Sequence, residues 1–328
     1  MKALVTGGAG FIGSHLVDKL VALGSDVTVI DNLRSGKKEN LTSHFGKKNF
    51  HFIQCDLIEL NEFMGHFSDY DTVYHFAANP EVRVGFSDTN IDFNNNVIAT
   101  RNVLEACKRS GKVKRLIFTS TSTIYGEASR IPTPENYGPT KPISMYGASK
   151  NACEALISGY SHLFGFQSII FRMANVIGPR SNHGVIYDFL TKLLRNRHIL
   201  EVLGNGKQSK SYLHVTDCID AILYASEHSP NDSLCIYNVG SADKIDVLSI
   251  ANTVIATAGL KDVKIVLSDT QGDGRGWKGD IKEMLLDISK LVSLGWQPQY
   301  NSKESVRITA ENLVNNQAEF ALLSSNNR

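Results

Sequence analysis

Three glycines near the amino terminus constrain the fold of this 328-residue chain more strongly than any other feature. Gly7, Gly10 and Gly13 separate a short apolar run, residues 3–6, from an amphipathic segment that begins at Phe11. A strand, a glycine-rich turn and a helix in this order let the first backbone N–H groups of the helix approach a pyrophosphate with no Cβ in the way. The spacing therefore predicts a nucleotide-binding turn, with a merely tight strand-to-helix turn as the alternative.

Short apolar runs alternate with helical patterns through the first half of the chain. The runs have the length of buried strands, and they occupy residues 3–6, 26–30, 50–55, 72–76, 115–120 and 168–171. Helical patterns follow at residues 11–23, 95–110 and 145–164. Buried strands covered by helices on both faces are typical of an α/β fold with a doubly wound parallel sheet, the Rossmann arrangement.

The pattern changes after about Asn175. Helices become shorter, and glycines such as Gly204 and Gly206 punctuate turn clusters. We expect a nucleotide-binding Rossmann domain at residues 1–174 and a second, smaller α/β domain at residues 175–328. The loops of the second domain shape a substrate cleft, and we expect some exchange of chain between the two lobes.

Composition and charge exclude several classes of function. Lysine and arginine number 34 against 33 aspartates and glutamates, a formal net charge of +1, so no strong field draws the chain to nucleic acid or to an anionic membrane. The 5 cysteines form no CxxC pair, and no metal site is expected. Residues 1–13 lack a signal-peptide pattern and no apolar run approaches the roughly 18 residues of a membrane span, which favours a cytoplasmic protein.

Carboxylates end the second and third predicted strands. Asp31 has the position expected of the residue that accepts hydrogen bonds from an adenosine ribose, and a carboxylate there repels a 2′-phosphate. NAD is therefore favoured over NADP, although Arg34 nearby leaves NADP open. Asp56 is placed to reach the adenine edge, with a helix N-cap as an equally reasonable interpretation.

Tyr146 and Lys150 are four residues apart on one face of a predicted helix. A tyrosine with a pKa near ~10 is a poor base at neutral pH, but a close ammonium and a cationic nicotinamide would both stabilise its phenolate. The spacing YxxxK is common on its own, and an exposed pair on a helix is the alternative. Together with the glycine turn, it indicates a redox centre.

Hydroxyl side chains crowd at the end of a predicted strand, in residues 119–123. The carboxyl edge of a parallel sheet is the usual ligand side of such folds. We predict that Thr121 hydrogen-bonds the reacting oxygen of the substrate. Ser122 and Thr123 are equally consistent with a strand end and the turn that follows it.

Together these motifs resemble an extended short-chain dehydrogenase/reductase, and within that group an NAD-dependent nucleotide-sugar epimerase of the UDP-glucose 4-epimerase type. The matching segments are residues 6–13, 31–33, 95–97, 120–126, 146–150 and 172–179, and the resemblance extends to about residue 300. It implies bound NAD and a catalytic set of Thr121, Tyr146 and Lys150. The residues implied to contact NAD are Gly7, Gly10, Phe11, Ile12, Gly13, Asp31, Asn32, Ser35, Gly36, Asp56, Leu57, Ala77, Ala78, Asn96, Tyr146 and Lys150.

Ser122 and Thr123 discriminate between reactions within the family. The resemblance places them where 4,6-dehydratases carry Asp-Glu and nucleotide-sugar decarboxylases a Glu. Without that acid the sequence favours an isomerase, a UDP-glucose/UDP-galactose 4-epimerase that oxidises C4 transiently. A decarboxylase, dehydratase or reductase on nucleotide sugars is the alternative, and a non-catalytic NAD sensor is a further one.

The predicted substrate side departs from the family pattern. Lys210 stands where an arginine is common, and Trp277 occupies the aligned place of a phosphate-binding arginine, so the role of Arg275 two residues earlier stays open. Val185 and Leu203 are also expected to contact the substrate, with ordinary core packing as the alternative for both. The residues implied to bind the UDP-sugar, besides Thr121, are Asn175, Val185, Leu203, Lys210 and Arg275.

The long helical patterns at residues 95–110 and 145–164 resemble those that form a four-helix interface in relatives. The resemblance therefore implies a two-fold homodimer.

Overall fold

The computed structural model describes residues 1–67 and 69–325, the side chains of residues 323–325 excepted. The chain divides into two compact units. The first unit comprises Met1–Tyr125, Thr140–Arg172 and Ile222–Tyr237. The second unit comprises Gly126–Pro139, Met173–Ala221 and the chain from Asn238 onward. Residues 326–328 of the predicted second domain lie outside the described residues.

The strands follow one another along both units. In chain order they are β1 (Lys2–Thr6), β2 (Asp26–Asp31), β3 (Phe50–Gln54), β4 (Thr72–His75), β5 (Arg115–Thr121), β6 (Gln167–Met173), β7 (Asn175–Ile177), β8 (Ile199–Leu203), β9 (Ser209–Lys210), β10 (Tyr212–His214), β11 (Leu234–Val239), β12 (Ile245–Asp246), β13 (Lys264–Ser268) and β14 (Glu283–Met284).

The α-helices are α1 (Phe11–Ala22), α2 (Leu60–Phe63), α3 (Thr89–Asp92), α4 (Ala99–Ser110), α5 (Met145–Phe164), α6 (Val185–Arg195), α7 (Val215–His228), α8 (Val247–Thr257), α9 (Ser289–Ser293), α10 (Ser302–Asn316) and α11 (Ala318–Ser325). Short 3₁₀ segments occupy Lys38–His44, Met64–Phe67, Val84–Phe86 and Ser122–Tyr125, and Phe93–Ile98 is a π-helix.

The central sheet is parallel, and in the described chain it has seven strands in the order β11-β6-β5-β4-β1-β2-β3. β1 pairs with β2 on one side and with β4 on the other, so that Thr6 is opposite both Ile30 and His75. The strand order therefore reverses beside β1, and the carboxyl ends of β1, β2 and β4 share one edge. Such a switch point is where open α/β sheets bind ligands. The expected doubly wound α/β fold is confirmed.

The helix that the sequence predicts from residue 95 begins earlier and is irregular. It starts at α3, where the Asp88 side chain caps the first turn by accepting from Asn90 N–H. The π-helix Phe93–Ile98 then joins α3 to α4 without a break. Asparagines at positions 94–96 interrupt the apolar period, so the sequence pattern shows neither the earlier start nor the π-helical turns. π-Helical turns inside α-helices are rare and occur frequently at functional sites.

The second unit is a separate α/β arrangement around its own core. β7 pairs with β10 and β8 with β13, while β9 lies between β12 and β14. Helices α6, α8 and α10 enclose apolar side chains that are fully buried, among them Leu190, Leu193, Ile250, Val254 and Ala310. The helices have an apolar face because the core of this unit is built from that face.

Neither a membrane span nor a metal cluster is found within residues 1–67 and 69–325. No helix there is both long enough and apolar enough to cross a bilayer. In the same residues no three His, Cys, Asp or Glu side chains gather where they could hold a metal ion.

Backbone packs against backbone where β1 meets β4. Gly7 has a φ of +69°, in the left-handed region, and a Cβ on it would lie 2.6 Å from the amide nitrogen of Ala77. Gly24, at the end of α1, has a similar φ of +75°, but a Cβ there would meet nothing within 4 Å. The two glycines therefore share a backbone conformation and differ in the space around them.

Gly7→Ala is expected to destabilise the protein more than Gly24→Ala. Both substitutions place an alanine in the left-handed region, which costs about 1–2 kcal/mol. Only Gly7→Ala also forces two backbones apart, which adds about 1–3 kcal/mol as overpacking does elsewhere. Urea unfolding of the two variants measures the difference. Equal unfolding midpoints would show that the backbones that follow β1 and β4 are not in close contact.

Candidate active site

The turn between β1 and α1 leaves one side of its backbone open. A Cβ on Gly13 would lie 2.2 Å from the carbonyl oxygen of Gly7, so α1 starts in direct contact with the turn. Gly10 N–H donates to the same oxygen over 3.1 Å. In the described chain a Cβ on Gly10 would have only this oxygen within 4 Å, at 3.2 Å. The turn is thus open at Gly10, where Phe11 and Ile12 begin the helix, as a bound pyrophosphate requires.

Asp31 is fixed at the end of β2 by backbone donors. Its Oδ2 accepts from Ala9 N–H over 3.0 Å and its Oδ1 from Leu33 N–H over 2.8 Å. Burial raises the pKa of this carboxyl, and the two N–H groups partly oppose the rise. Gly36, which follows Ser35, approaches so closely that a Cβ would lie 2.9 Å from each carboxylate oxygen. A carboxylate fixed in this way can accept ribose hydroxyls and repels a 2′-phosphate, which fits NAD.

Asp56 joins two loops at the same edge of the sheet. Its Oδ1 accepts from Ile58 N–H over 3.1 Å and its Oδ2 from the Asn32 side chain over 3.0 Å. The N-cap of α2 is Glu59, so the interpretation of Asp56 as a helix cap is wrong: its carboxylate closes the turn after β3 instead. Leu57 is buried in the core of the first unit. The structure therefore brings Asn32 and Asp56 together.

The loop after β4 is tied to the helix that carries the predicted catalytic pair. Ala77 and Ala78 lead into Asn79, whose N–H donates to Asn96 Oδ1 over 2.9 Å. The Asn96 amide donates to Ser149 Oγ over 2.8 Å, and Asn96 is 1% exposed. The Asn96 side chain thus joins the π-helix, the loop after β4 and α5.

Asp92 is a member of this network that sequence reasoning missed. The residue is fully buried, and its Oδ1 accepts from the side-chain amides of Asn79 over 2.9 Å and Asn96 over 3.4 Å. Its Oδ2 has no hydrogen-bond partner among the described residues, and a Cβ on Gly85 would lie 2.2 Å from it. Burial raises the pKa of Asp92. The one available signal was its spacing, four residues before Asn96 and therefore on the same helical face.

Lys150 is buried at the end of β5. Its Nζ donates to the carbonyl oxygen of Thr119 over 2.8 Å and lies 4.5 Å from the centre of the Phe118 ring. The residue is 2% exposed, and burial lowers the pKa of its ammonium to about 8. Neighbouring acidic groups raise that pKa but do not restore it. At neutral pH Lys150 is therefore still mainly an ammonium ion, but it loses its proton at a much lower pH than an exposed lysine does.

Tyr146 is in the first turn of α5, which begins after Ser144 accepts a hydrogen bond from Gly147 N–H over 3.1 Å. Its side chain is half-buried. Burial raises the pKa of the Tyr146 phenol, and the negative charge of Asp92 raises it further. Burial and Asp92 therefore keep this phenol protonated, and positive charge close to it is needed to ionise it at neutral pH.

Thr121 ends β5 and is followed by the 3₁₀ segment Ser122–Tyr125. Thr123 N–H donates to Thr121 Oγ1 over 3.2 Å, and the two hydroxyl oxygens are 3.1 Å apart. The start of α5 packs on this segment, since a Cβ on Gly147 would lie 2.8 Å from the carbonyl oxygen of Thr123. The hydroxyl run and the helix of Tyr146 are thus in contact within the first unit.

The cations predicted to bind the substrate each contact carboxylates in the second unit. Lys210 Nζ lies 2.5 Å from Asp280 Oδ1. Arg275 donates from Nε to Asp273 over 2.7 Å and from Nη1 to Glu127 over 2.6 Å, and it also donates to the carbonyl oxygen of Asp280. The structure therefore brings Lys210 and Arg275 together, since both contact Asp280.

The remaining predicted substrate residues are at the ends of elements. Asn175 begins β7, and Val185 begins α6, where it is partly buried against the core. Leu203 ends β8 and its carbonyl oxygen accepts from the Gln208 amide over 3.0 Å. Trp277 is in the loop of Arg275, partly buried. Of these residues Leu203 is near the loop, because a Cβ on Gly276 would lie 3.6 Å from Leu203 Cβ.

Comparison with known proteins gives a consistent assignment. The sequence model of the NAD-dependent epimerase/dehydratase family matches residues 3–240. The chain is 31% identical to UDP-glucose 4-epimerase of Mycolicibacterium smegmatis, over 95% of this chain and 98% of the relative. It is 33% identical to UDP-glucuronic acid decarboxylase 1 of Arabidopsis thaliana, over 93% of this chain and 68% of the relative. A crystal structure of a UDP-galactose 4-epimerase superposes with a TM-score of 0.86 at 44% identity, over 97% of this chain and 100% of the other.

Lys150→Met is expected to raise the stability of the protein at pH 7. In the wild type, the folded state carries a buried ammonium whose pKa is about 8, below the ~10.4 of an unfolded lysine. Below about pH 8 the folded wild type bears the full cost of burying the ammonium. Between about pH 8 and ~10.4 Lys150 is neutral in the folded state but still protonated in the unfolded state, so the stability of the wild type rises with pH. The advantage of Lys150→Met, of the order of 1–3 kcal/mol, should therefore shrink over that interval.

Denaturant unfolding at several pH values measures this effect, with Lys114→Met as the control. The Lys114 side chain is 81% exposed, so its replacement should leave the pH dependence of stability unchanged. A Lys150→Met variant that is less stable than the wild type at every pH would contradict the assigned pKa.

Proposed function

The chain belongs to the NAD-dependent epimerase/dehydratase family, and we propose that it is a nucleotide-sugar 4-epimerase that interconverts UDP-glucose and UDP-galactose. The observation that carries the proposal is the composition of the candidate site. Tyr146 and Lys150 share a face of α5, a hydroxyl at Thr121 ends β5, and the segment Ser122–Tyr125 that follows contains no carboxylic acid. Epimerisation at C4 needs the first three groups and does not need the acid.

Bound NAD would supply the redox chemistry, by taking a hydride from C4 of the sugar and giving it back to the opposite face of the same carbon, with no net oxidation. The chain supports this with a proton acceptor, Tyr146, for the 4-hydroxyl. Because burial and Asp92 raise the pKa of Tyr146, the phenol becomes a base only where positive charge compensates. Lys150 supplies one such charge from a fixed position, held by Thr119.

Thr121 orients the sugar oxygen. Its own hydroxyl is fixed by Thr123 N–H, so its position relative to the start of α5 is set before the substrate arrives. A pre-positioned donor stabilises developing charge without reorganisation. The 4-keto sugar must then turn to present its other face to the nicotinamide. The nucleotide diphosphate, which does not react, would stay bound and serve as the anchor for this rotation.

We assign the binding of the nucleotide diphosphate to the second unit. Lys210 and Arg275 are its candidate cations, and Asn175, Val185 and Leu203 are the candidate contacts to the sugar and the base. Both cations contact Asp280, Lys210 at the carboxylate and Arg275 at the carbonyl oxygen, so they are close enough to bind one diphosphate together.

Decarboxylation of a nucleotide sugar is the second candidate, because a plant decarboxylase is 33% identical to this chain. The carboxylate that would assist that reaction is missing at Ser122 and Thr123. Glu127, the next acidic residue in the sequence, is bound to Arg275 in the second unit. This favours the epimerase.

Purified protein is expected to interconvert UDP-glucose and UDP-galactose without added cofactor. Tyr146→Phe should lower kcat by about 10²–10⁴-fold, the usual contribution of a general base. Tyr160→Phe is the matched control on the same helix, since its hydroxyl donates to Glu105 and it is distant in sequence from Lys150. Coupled detection of each product gives both rates.

The competing activities are tested in the same preparation. Release of carbon dioxide from UDP-glucuronic acid, without interconversion of the hexoses, would replace the proposal by a decarboxylase. Near-normal turnover by Tyr146→Phe would overturn the assigned base.

We also propose that the protein is a two-fold homodimer that associates through α5 and through α4 with the π-helix that precedes it. Large apolar side chains are exposed there, with Leu163 72% and Phe93 51% accessible. Apolar patches of this kind mark interaction surfaces. Light scattering should give a dimer, and Leu163→Glu should shift it toward monomer. Leu23→Glu, at a residue 63% exposed at the end of α1, should not. A monomeric wild type would exclude the interface.

A further inference from the structure

A buried ion pair lies one helical turn beyond Lys150. Glu154 on α5 is 6% exposed and Arg172 on β6 is 7% exposed. The Arg172 Nε lies 3.1 Å from each Glu154 carboxylate oxygen, and Nη2 lies 2.7 Å from Oε2. The contact is bidentate, the strongest geometry for this pair.

The pair continues at both ends into the segment that carries Thr121. Ser120 Oγ donates to Glu154 Oε1. Arg172 Nη1 donates to the Tyr125 hydroxyl over 2.9 Å, and the guanidinium lies 5.1 Å from the centre of the Tyr125 ring. Ser120 precedes Thr121 and Tyr125 ends the 3₁₀ segment after it. The proposed catalytic hydroxyl is therefore bracketed by two residues that the ion pair holds.

Two consecutive turns of α5 thus bind two consecutive residues of β5. Lys150 Nζ donates to the carbonyl oxygen of Thr119, and Glu154 accepts from the hydroxyl of Ser120. Charged groups spaced by four residues on a helix face the same way. Only one register of α5 against the end of β5 satisfies both contacts.

Stability alone is a weak reason for this arrangement. Burying two charges carries a large desolvation penalty, and well-packed apolar residues in place of a buried ion pair are often neutral or stabilising. This ion pair lies beside the proposed reactive groups, so we expect its role to lie in the position and charge of those groups rather than in stability.

The second role concerns the ionisable groups that surround Lys150. Cys153 and Glu154 face it from its own helix, Asp92 from α3 and the imidazole of His75 from β4. Burial holds the pKa of His75 at about 3, so the imidazole is neutral and cannot balance a charge. Burial lowers the pKa of Lys150, while Cys153, Glu154 and Asp92 raise it.

We propose that Glu154, paired with Arg172, is a positioning residue that holds the Thr121 segment against α5 and keeps Lys150 in its ammonium form. The inference rests on the proposed function. Glu154 acts through Ser120 and Lys150 and needs no contact with the substrate.

Glu154→Gln tests the charge, and Ser120→Ala tests the positioning. Glu154→Gln should lower kcat at least about tenfold with the KM for UDP-glucose within threefold, and it should move the alkaline limb of the kcat profile to lower pH. The shift follows because loss of the anion disfavours the ammonium, so Lys150 loses its proton at lower pH. Ser120→Ala leaves the ion pair intact and should lower kcat without moving that limb.

The matched control is Glu105→Gln on α4. Glu105 is also a partly buried carboxylate of the first unit, but it is bound by Tyr160 rather than by β5. Its kcat and pH profile should equal those of the wild type.

A second measurement does not depend on turnover. Carbon-13 NMR of protein labelled at the lysine ε-carbon, with the Lys150 signal assigned by its loss in Lys150→Met, follows the Lys150 titration directly. Glu154→Gln should move this titration to lower pH. Circular dichroism of each variant reports whether it is folded.

The outcomes separate the two proposals. A wild type that turns over no nucleotide sugar overturns the proposed function, while the NMR titration still decides whether Glu154 supports the Lys150 charge. An active wild type whose Glu154→Gln and Ser120→Ala variants keep kcat within twofold, with an unmoved Lys150 titration, overturns the inference. Should Glu154→Gln fail to fold, an unchanged kcat in Ser120→Ala overturns it alone.

Discussion

The buried ammonium of Lys150 is the constraint on which the rest of the first unit depends. A cation in a packed interior needs acceptors and a counter-charge. The carbonyl oxygen of Thr119 and the ring of Phe118 supply the first, and Glu154 supplies the second. Glu154 in turn requires Arg172, so that α5, β5 and β6 have to meet in one register. The chemistry we propose uses this register, because Tyr146 belongs to the same helix.

The cations of the second unit follow the opposite logic. Lys210 and Arg275 are paired with Asp280, Asp273 and Glu127 in the protein itself. The carboxylates of Glu127 and Asp273 are 40% and 44% exposed, and ion pairs with such exposed partners contribute little to stability. A diphosphate bound there would replace carboxylates as the partner of these side chains. Any dependence of binding on ionic strength would then come from this replacement of carboxylates by the diphosphate more than from the net charge of the chain.

Much of the first unit was predictable, and the failures have a common cause. The strands, the glycine turn and the helix of Tyr146 are recorded in short-range patterns, which the structure reproduces within a few residues. The π-helix was missed because asparagines interrupt the apolar period, and Asp92 because its partners Asn79 and Asn96 are distributed over two elements. For Asp56 the sequence left open a contact with adenine or a helix N-cap. The choice depends on which backbone N–H lies near its carboxylate, and the residue type does not specify this.

Residue types and their spacing alone determined the doubly wound sheet, the glycine turn and the presence of one phenol, one ammonium and several hydroxyls at the carboxyl edge. These are local properties, set by periodicity and by which backbone conformations glycine permits. Tertiary structure alone decided which charges are buried and what compensates them. Glu154 and Arg172 are 18 residues apart in the chain, and their pairing is fixed only when α5 packs on the sheet, because a charge has a defined energy only once its surroundings exist.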